Sequence, residues 1–453
     1  MTNFWKFLFG DKDFNHKLLF LALPIVLQNL MLALVAAADA LMLGKLNQDA
    51  MAAVSLATQI QFVQNILLYS IVSGIGILGA QYWGKNDKDV LIKIFGMSIR
   101  ESIGLSLLFF IGCRFFPHIL MRLFASDPIL IETGVEYLKL ASWSYIISGI
   151  SQCYLAIMRV SEHAASSAWI SSGAVIFNII FNAIFIFGLC GVPMMGVRGA
   201  AIATLLARVV ELLACVICSL NRNYIPLKIR TIFSFDSLLF CDFWRCALPI
   251  LASCMLWGVG FTAYTAIMGH MGRDAAAANS IAAVVRDLMC CMCNGLSGAC
   301  GILIGNKLGA GELAAGKIYG ERSMILSFII GIISAIGILC VIPFVSSFVK
   351  LTPQAHTYMV WMFVILSVYM VGRCVCGIVI NGIFSSGGDT LFDMYSLIVF
   401  MWGIALPCAF SGAFYFKLPV LLIYACTCLD EVGKVPWVIF HYKKYKWVKN
   451  LTR

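Results

Sequence analysis

Charged residues are scarce in this chain. They make up 12% of its 453 residues, whereas about a quarter of the residues in a typical soluble domain are charged. Hydrophobic residues make up 61%, and the mean hydropathy is +0.93. This balance excludes a water-soluble core with a polar shell, because most of the surface must face lipid or lipid-buried neighbours.

Enzyme motifs are also missing. The sequence contains no H-E-x-x-H and no G-x-S-x-G, and its six histidines are scattered. The net charge of +10 does not require a nucleic-acid partner, because basic loops of membrane proteins account for it. We therefore expect no enzyme activity, no cofactor and no nucleic-acid partner.

Long apolar runs dominate what is present, and each is long enough to cross a bilayer. They lie at 18–43, 52–82, 94–116, 131–157, 168–189, 198–220, 246–268, 276–305, 320–347, 357–381, 391–413 and 418–440. The pattern predicts an all-α membrane protein with twelve transmembrane helices. The basic segment 221–245 is the longest connection and indicates a linker between two halves.

The distribution of Lys and Arg predicts the orientation. An even number of spans places both termini on one side of the membrane. Nineteen Lys and Arg residues fall on that side and seven on the other. Basic loops face the cytoplasm, so both termini are predicted to be cytoplasmic.

An internal repeat appears when the chain is shifted against itself so that Pro24 falls on Pro249. The same register places Gly44 on Gly269, Asp49 on Asp274 and Gly76 on Gly301. The repeat predicts two pseudo-symmetric six-helix bundles, 1–225 and 226–453. Such duplication is typical of alternating-access transporters. Channels and membrane enzymes can also be duplicated, so the repeat favours transport without requiring it.

Asp39 is the sharpest functional candidate, because ionisable groups within spans are costly. Small residues precede it, and the nearest cation, Lys45, lies more than one helical turn away. A carboxylate in this position could bind a proton or a metal cation such as Na⁺. The alternative is that Asp39 lies at the outer end of its helix and is hydrated. The register of the repeat carries it onto Tyr264, so ion coupling is predicted for the first half alone.

Polar residues on two later helices could complete the ion site. Asn178 and Asn182 are four residues apart and so share a helix face, and Thr204 follows in the next span. Their oxygens could ligate Na⁺ or hydrogen-bond a protonated Asp39. The alternative is that they join neighbouring helices by hydrogen bonds.

Further polar and aromatic residues are candidates for lining a substrate cavity. They are Gln28, Gln59, Gln64, Trp257, Tyr264, Arg286 and Arg373. Two other sets of charges, Arg208 with Glu211 and Asp430 with Lys434, have the spacing of helical ion pairs. We interpret both sets as internal neutralisation.

Several short motifs together resemble the multidrug and toxic compound extrusion (MATE) transporters, in particular their DinF-like branch. The resemblance covers nearly the whole chain, on twelve spans in the same order. Its carriers are Leu23-Pro24-Ile25, Ala38-Asp39, Met42-Leu43-Gly44, the segment 196–204 and the segment 385–390.

The resemblance implies export of small organic, often cationic, compounds in exchange for H⁺ or Na⁺. It implies that Asp39 binds the coupling ion beside Asn178 and Thr204. Asn182 stands where many members have a second Asp, which leaves one carboxylate. Cys254 and Trp257 stand where others carry an acidic residue, so a second-half ion site is expected to be absent.

The resemblance further implies a monomer in the inner membrane of a bacterium. A lipid-linked saccharide flippase of the same superfamily is the alternative, and the cations Arg286 and Arg373 within spans keep it open. A membrane-embedded enzyme is the alternative from another class.

Overall fold

The computed structural model describes residues 11–46, 48–125, 127–189, 191–221, 223–348 and 351–452. All regular secondary structure in these ranges is helical. Within these ranges there are eleven long helices and a twelfth segment made of three short pieces: α1 (Lys12–Leu46), α2 (Gln48–Gly74, continuing to Gly84), α3 (Lys88–Phe115), α4 (Pro128–Val160), α5 (Ala164–Phe187), α6 (Gly196–Ser219), α7 (Ser237–His270), α8 (Arg273–Gly309), α9 (Leu313–Phe348), α10 (Pro353–Phe384), α11 (Leu391–Phe414) and α12 (Val420–Thr427, Leu429–Val432 and Val435–Tyr442). Four cations that count toward the predicted orientation, Lys6, Arg222, Lys350 and Arg453, lie outside the described residues.

The predicted all-α membrane fold is confirmed. Within the described ranges, ten helices are long and apolar enough to cross a bilayer. The other two, α4 and α12, differ for local reasons. Charged residues near the start of α4, such as Glu132, and the serines and Gln152 in its charge-free stretch 140–157 lower its hydropathy, and α12 is broken into three short pieces.

The internal repeat extends through the helix boundaries. The first four helices of each half begin at positions that the repeat makes equivalent, namely Lys12 and Ser237, Gln48 and Arg273, Lys88 and Leu313, and Pro128 and Pro353. The starts of α4 and α10 even share their signals. Asp127 accepts a hydrogen bond from the Ile129 amide at 2.9 Å, Thr352 accepts one from the Ala355 amide at 3.2 Å, and proline follows each cap.

The chain forms two compact units. One is Leu27–Trp244, and the other joins the described residues up to Val26 with those from Arg245 onward. Helices α1 and α7 therefore each divide between the units. The divisions lie close to Pro24 and Pro249, where proline removes a backbone hydrogen bond from the helix. The predicted domain boundary between 225 and 226 stays a prediction.

Close packing of α5 against α6 positions polar side chains in the unit Leu27–Trp244. A Cβ on Gly199 of α6 would lie 2.5 Å from the Phe185 carbonyl oxygen of α5. Only glycine permits this approach, as is common between membrane helices. The short separation lets side chains one or two turns away, including Asn178 and Thr204, reach each other.

Irregular backbone is concentrated in the other unit. Helix α12 is interrupted at Cys428 and again at Gly433 and Lys434, so Asp430 and Glu431 lie on a four-residue piece. The end of α10 and the middle of α11 are π-helical, at Gly377–Phe384 and Ile398–Ala405. Broken helices and π-bulges in membrane transporters are often found beside binding sites.

Candidate functional site

The unit Leu27–Trp244 contains a cavity of about 400 Å³. All four predicted coupling residues line it, namely Asp39 from α1, Asn178 and Asn182 from α5, and Thr204 from α6. Asn178 and Asn182 are buried and Asp39 is partly buried. A volume of this size lies within the usual range for small-molecule sites, about 300–1,000 Å³.

A chain of hydrogen bonds connects these four side chains. Asn182 donates its Nδ2 to Asp39 Oδ1 at 2.6 Å and to Asn178 Oδ1 at 3.1 Å. Asn178 in turn donates Nδ2 to Thr204 Oγ1 at 3.4 Å, and the Thr204 hydroxyl donates to the Ala200 carbonyl at 3.0 Å. The chain fixes the Asp39 carboxylate against the cavity wall.

The arrangement offers oxygen atoms to a cation. Asp39 supplies a carboxylate, and Asn182 Oδ1 is buried without a hydrogen-bond partner among the described residues. Carboxylate and amide oxygens suit hard cations, and a carboxylate can also take a proton. The geometry therefore permits either H⁺ or a metal cation at Asp39.

Arg208 was not predicted as a cavity residue, yet it lines the same cavity as Asp39. Its Nη1 donates to Glu211 Oε2 at 2.8 Å, and the Ser151 hydroxyl donates to the same oxygen at 3.0 Å. The Glu211 side chain is fully buried. The interpretation of Arg208 with Glu211 as an ion pair is thus confirmed. Glu211 neutralises the Arg208 guanidinium at the cavity wall.

The second unit contains a smaller cavity of about 140 Å³. Three predicted substrate-cavity residues, Trp257, Tyr264 and Arg286, line it together. The repeat relates its lining to that of the first cavity: Asp39, Ser55 and Gln61 line the larger cavity, and their repeat equivalents Tyr264, Ser280 and Arg286 line the smaller one. The two cavities occupy equivalent places with different chemistry.

Two opposite charges line this second cavity. The Arg286 guanidinium lies 4.4 Å from the ring centroid of Phe261, and its Nε and Nη2 both donate to Asp287 Oδ1, at 3.0 and 2.9 Å. Asp430 is 5% exposed, and its Oδ1 has no hydrogen-bond partner in the part of the chain that the structure describes. Arg286 and Asp430 both lie in the described part of the chain, and they do not form an ion pair with each other.

A buried ion cluster lies next to Asp430. Glu431 Oε1 is 2.7 Å from Arg373 Nη1, and its Oε2 is 2.8 Å from Lys434 Nζ. The interpretation of Asp430 and Lys434 as an ion pair is therefore wrong. Lys434 pairs instead with Glu431, the residue that follows Asp430. Glu431 was missed. The sequence signal for it was two adjacent carboxylates within a span that contains only one nearby cation.

The remaining predicted cavity residues lie elsewhere. Arg159 Nη1 donates to Gln28 Oε1 at 3.4 Å, and Gln64 donates to Ser106 Oγ and to the Tyr145 carbonyl, both at 3.2 Å. Gln59 is exposed and lines neither cavity. On α2, Gln61 and Asn65 line the larger cavity, and their spacing of four residues places them on one helix face.

Duplicated six-helix halves, each with a polar cavity, are the architecture of a membrane transporter. The MatE family matches this chain over residues 24–184 and 249–411, two segments that begin at the equivalent prolines Pro24 and Pro249. The chain belongs to this family. It is a multi-pass membrane transporter and not an enzyme. Its assignment to the DinF-like branch stays a prediction.

Similar proteins are known from several bacteria. An uncharacterized transporter, YisQ of Bacillus subtilis, is 23% identical, covering 97% of this chain and 96% of its own. A probable multidrug resistance protein, NorM of Thermotoga maritima, is 25% identical, over 97% and 95%. The structure of a MATE transporter from Vibrio cholerae superimposes with a TM-score of 0.88 at 15% identity, covering 97% and 98%. This likeness supports the fold.

Proposed function

We propose that the protein is a secondary antiporter that exports small organic, often cationic, compounds in exchange for H⁺ or Na⁺. The observation that carries this proposal is the Asp39 carboxylate, which is held by Asn182 at the wall of the cavity of about 400 Å³. The names of relatives such as NorM, a probable multidrug resistance protein, agree with it.

Competition at one carboxylate supplies the coupling. With Asp39 ionised, its carboxylate is the anionic group among the described residues that line the cavity, and Arg208 does not pair with it because Arg208 is bound to Glu211. An organic cation is then attracted to the cavity. When a proton or Na⁺ occupies Asp39, that charge is cancelled and the organic cation is released. Each ligand lowers the affinity for the other by the same factor, as linkage requires.

The protonation state also changes the hydrogen-bond chain. Ionised Asp39 accepts from Asn182 through Oδ1, whereas a protonated carboxyl becomes a donor at one oxygen. Asn182 can then turn its Oδ1, which has no partner among the described residues, toward the new donor. This change in the hydrogen bond between α1 and α5 is the local event through which ion binding shifts the transporter between its two states.

Efflux from proteoliposomes tests this function. The purified protein is reconstituted into liposomes that are loaded with tetraphenylphosphonium. A proton gradient or a Na⁺ gradient is then applied across the liposome membrane in separate experiments. We expect at least one gradient to drive efflux, and Asp39→Asn to abolish that dependence. Asp49→Asn is the matched control, because Asp49 is an exposed carboxylate in the first turn of α2. Gradient-driven efflux at the normal rate in Asp39→Asn would overturn the proposal.

The surroundings of the transporter follow from the same proposal. We place it in the inner membrane of a bacterium as a monomer, with both termini in the cytoplasm. The flippase alternative depended on Arg286 and Arg373. Glu431 neutralises Arg373, so one of the two cations that supported the flippase alternative is not available to bind a lipid phosphate.

A further inference from the structure

The cavity of the second unit, lined by Arg286 and Asp430, has no role in the coupling proposed for Asp39. We propose that it binds a small zwitterion that carries a carboxylate and an ammonium group, of the size of a betaine or an amino acid. The proposal names a substrate class and so rests on the transport function proposed above, but the binding claim itself does not depend on ion coupling.

The first argument is the separation of two opposite charges. Arg286 and Asp430 line the same cavity and do not pair with each other. Arg286 directs Nε and Nη2 to a single oxygen of Asp287, which leaves its Nη1 group without a hydrogen bond to any described residue. A guanidinium edge of this kind suits a carboxylate. A cavity lined by a positive and a negative side chain that do not pair with each other suits a ligand that carries one negative and one positive charge.

The second argument is the unsatisfied polar atoms. Asp430 and Tyr264 line this cavity, and Asp430 Oδ1 and the Tyr264 hydroxyl are buried without a hydrogen-bond partner within the described ranges. A buried polar group without a partner is costly, and more so when it is charged. The primary ammonium group of an amino acid could donate a hydrogen bond to each of them, whereas the trimethylammonium group of a betaine, which has no N–H, would compensate only the charge of the carboxylate.

The third argument is the charge balance around the cavity. Among the described residues, Arg286 and Asp430 are the charged side chains that line it, one of each sign. The other charged residues of this region, Asp287, Arg373, Asp393, Glu431 and Lys434, are not part of the lining. A net cation or a net anion would therefore leave one of the two lining charges without an opposite charge in the cavity, whereas a zwitterion would not.

The fourth argument is the size and composition of the cavity. At about 140 Å³ it has roughly a third of the volume of the one at Asp39, too small for a drug-sized ligand. The rings of Tyr264, Tyr369 and Tyr424 line it, and aromatic faces attract ammonium groups, quaternary ones included. The repeat shows how the two cavities came to differ, because Arg286 lines this cavity at the position where Gln61 lines the larger one.

Three probes of matched shape test the claim. Glycine betaine carries both charges, choline keeps the trimethylammonium group without the carboxylate, and 3,3-dimethylbutyrate keeps the carboxylate with a neutral tert-butyl group. Calorimetric titration of the purified full-length protein, without any gradient, measures binding of each. We expect wild-type protein to bind glycine betaine about tenfold or more tightly than either of the other two.

Variants then assign each charge. Arg286→Gln should remove the preference for glycine betaine over choline, and Asp430→Asn should remove its preference over 3,3-dimethylbutyrate. Equal binding of all three probes by the wild type, or unchanged betaine binding in both charge variants, would overturn the proposal. Loss of gradient-driven efflux in proteoliposomes would bear on Asp39 and would leave this binding result intact.

Discussion

The Arg373 guanidinium in α10 lies 2.7 Å from Oε1 of Glu431 in α12, 58 residues further along the chain. The Glu431 side chain is 2% exposed and also meets Lys434. This ion pair fastens the broken part of α12 to α10. A buried carboxylate with two cationic partners cannot be removed without leaving their charges uncompensated.

Glu431→Gln should therefore destabilise the protein by on the order of 3 kcal/mol. Thermal unfolding of purified wild-type and variant protein in detergent measures the loss. Glu312→Gln is the matched control, because Glu312 pairs with Lys307 at 2.7 Å but is half exposed. That change should cost less than about 1 kcal/mol. Equal unfolding temperatures for Glu431→Gln and the wild type would show that the pair has no structural role.

Asn182→Leu should reduce transport about tenfold or more. It removes the hydrogen bond that joins α5 to the Asp39 carboxylate, and the loss of a hydrogen bond to a charged group costs about 1.5–3 kcal/mol. Initial rates of tetraphenylphosphonium efflux measure the effect. Asn178→Leu, one helical turn away, removes contacts with Asn182 and Thr204 but no bond to Asp39, so its effect should be smaller. The reverse order would contradict the proposed arrangement.

Glu211→Gln should raise the KM for tetraphenylphosphonium about tenfold. The change leaves Arg208 uncompensated at the wall of the cavity that Asp39 lines, and a free cation there repels a cationic substrate. The double variant Arg208→Gln with Glu211→Gln removes both charges and should recover most of the affinity. A KM in the double variant as high as in Glu211→Gln alone would show that the loss is structural.

Asp11 gives a prediction that depends on pH. Its carboxylate accepts a hydrogen bond from Arg322 Nη1 at 2.6 Å, and this bond holds the pKa of Asp11 below its ordinary value. A pKa lowered by folding means that the stabilisation is present above the unfolded pKa, about 3.9. It is lost as the pH falls through the lower folded value.

Asp11→Asn should thus cost about 1 kcal/mol at neutral pH, and the difference from wild type should shrink below about pH 4. Thermal unfolding across a pH series measures it. Asp13→Asn serves as control, because Asp13 is exposed and pairs with Lys17, which is also exposed, at 3.2 Å. A stability difference for Asp11→Asn that stays constant from pH 7 to pH 3 would contradict the assignment.

The sequence was sufficient to predict the helices and the repeat, because both leave periodic signals. Lipid demands long apolar runs, and duplication preserved the spacing so closely that Pro128 and Pro353 begin equivalent helices. Asp39 and the three residues predicted around it also lie together in one cavity. The spacing of Asn178 and Asn182 on one helix face and the resemblance to known transporters were enough to group them.

Long-range pairing was not predictable in the same way. The sequence favoured Lys434 as the partner of Asp430, because helical spacing shows only local neighbours. The break in α12 at Cys428 changes which side chains share a face, and Arg373 arrives from a helix 58 residues away. Likewise, several amide side chains crowd α2, and composition alone did not show which of them face the cavity. The rotation of the helix presents Gln61 and Asn65 to it, and not Gln59 or Gln64.

The central claim is that a coupling ion and an organic cation compete for the Asp39 carboxylate. Equilibrium binding of tetraphenylphosphonium to the purified protein, titrated separately with Na⁺ and with protons, tests this most directly. We predict that at least one of the two ions weakens binding to the wild type, and that this dependence disappears in Asp39→Asn but persists in Asp49→Asn. The same ion dependence in Asp39→Asn and in the wild type would contradict the account.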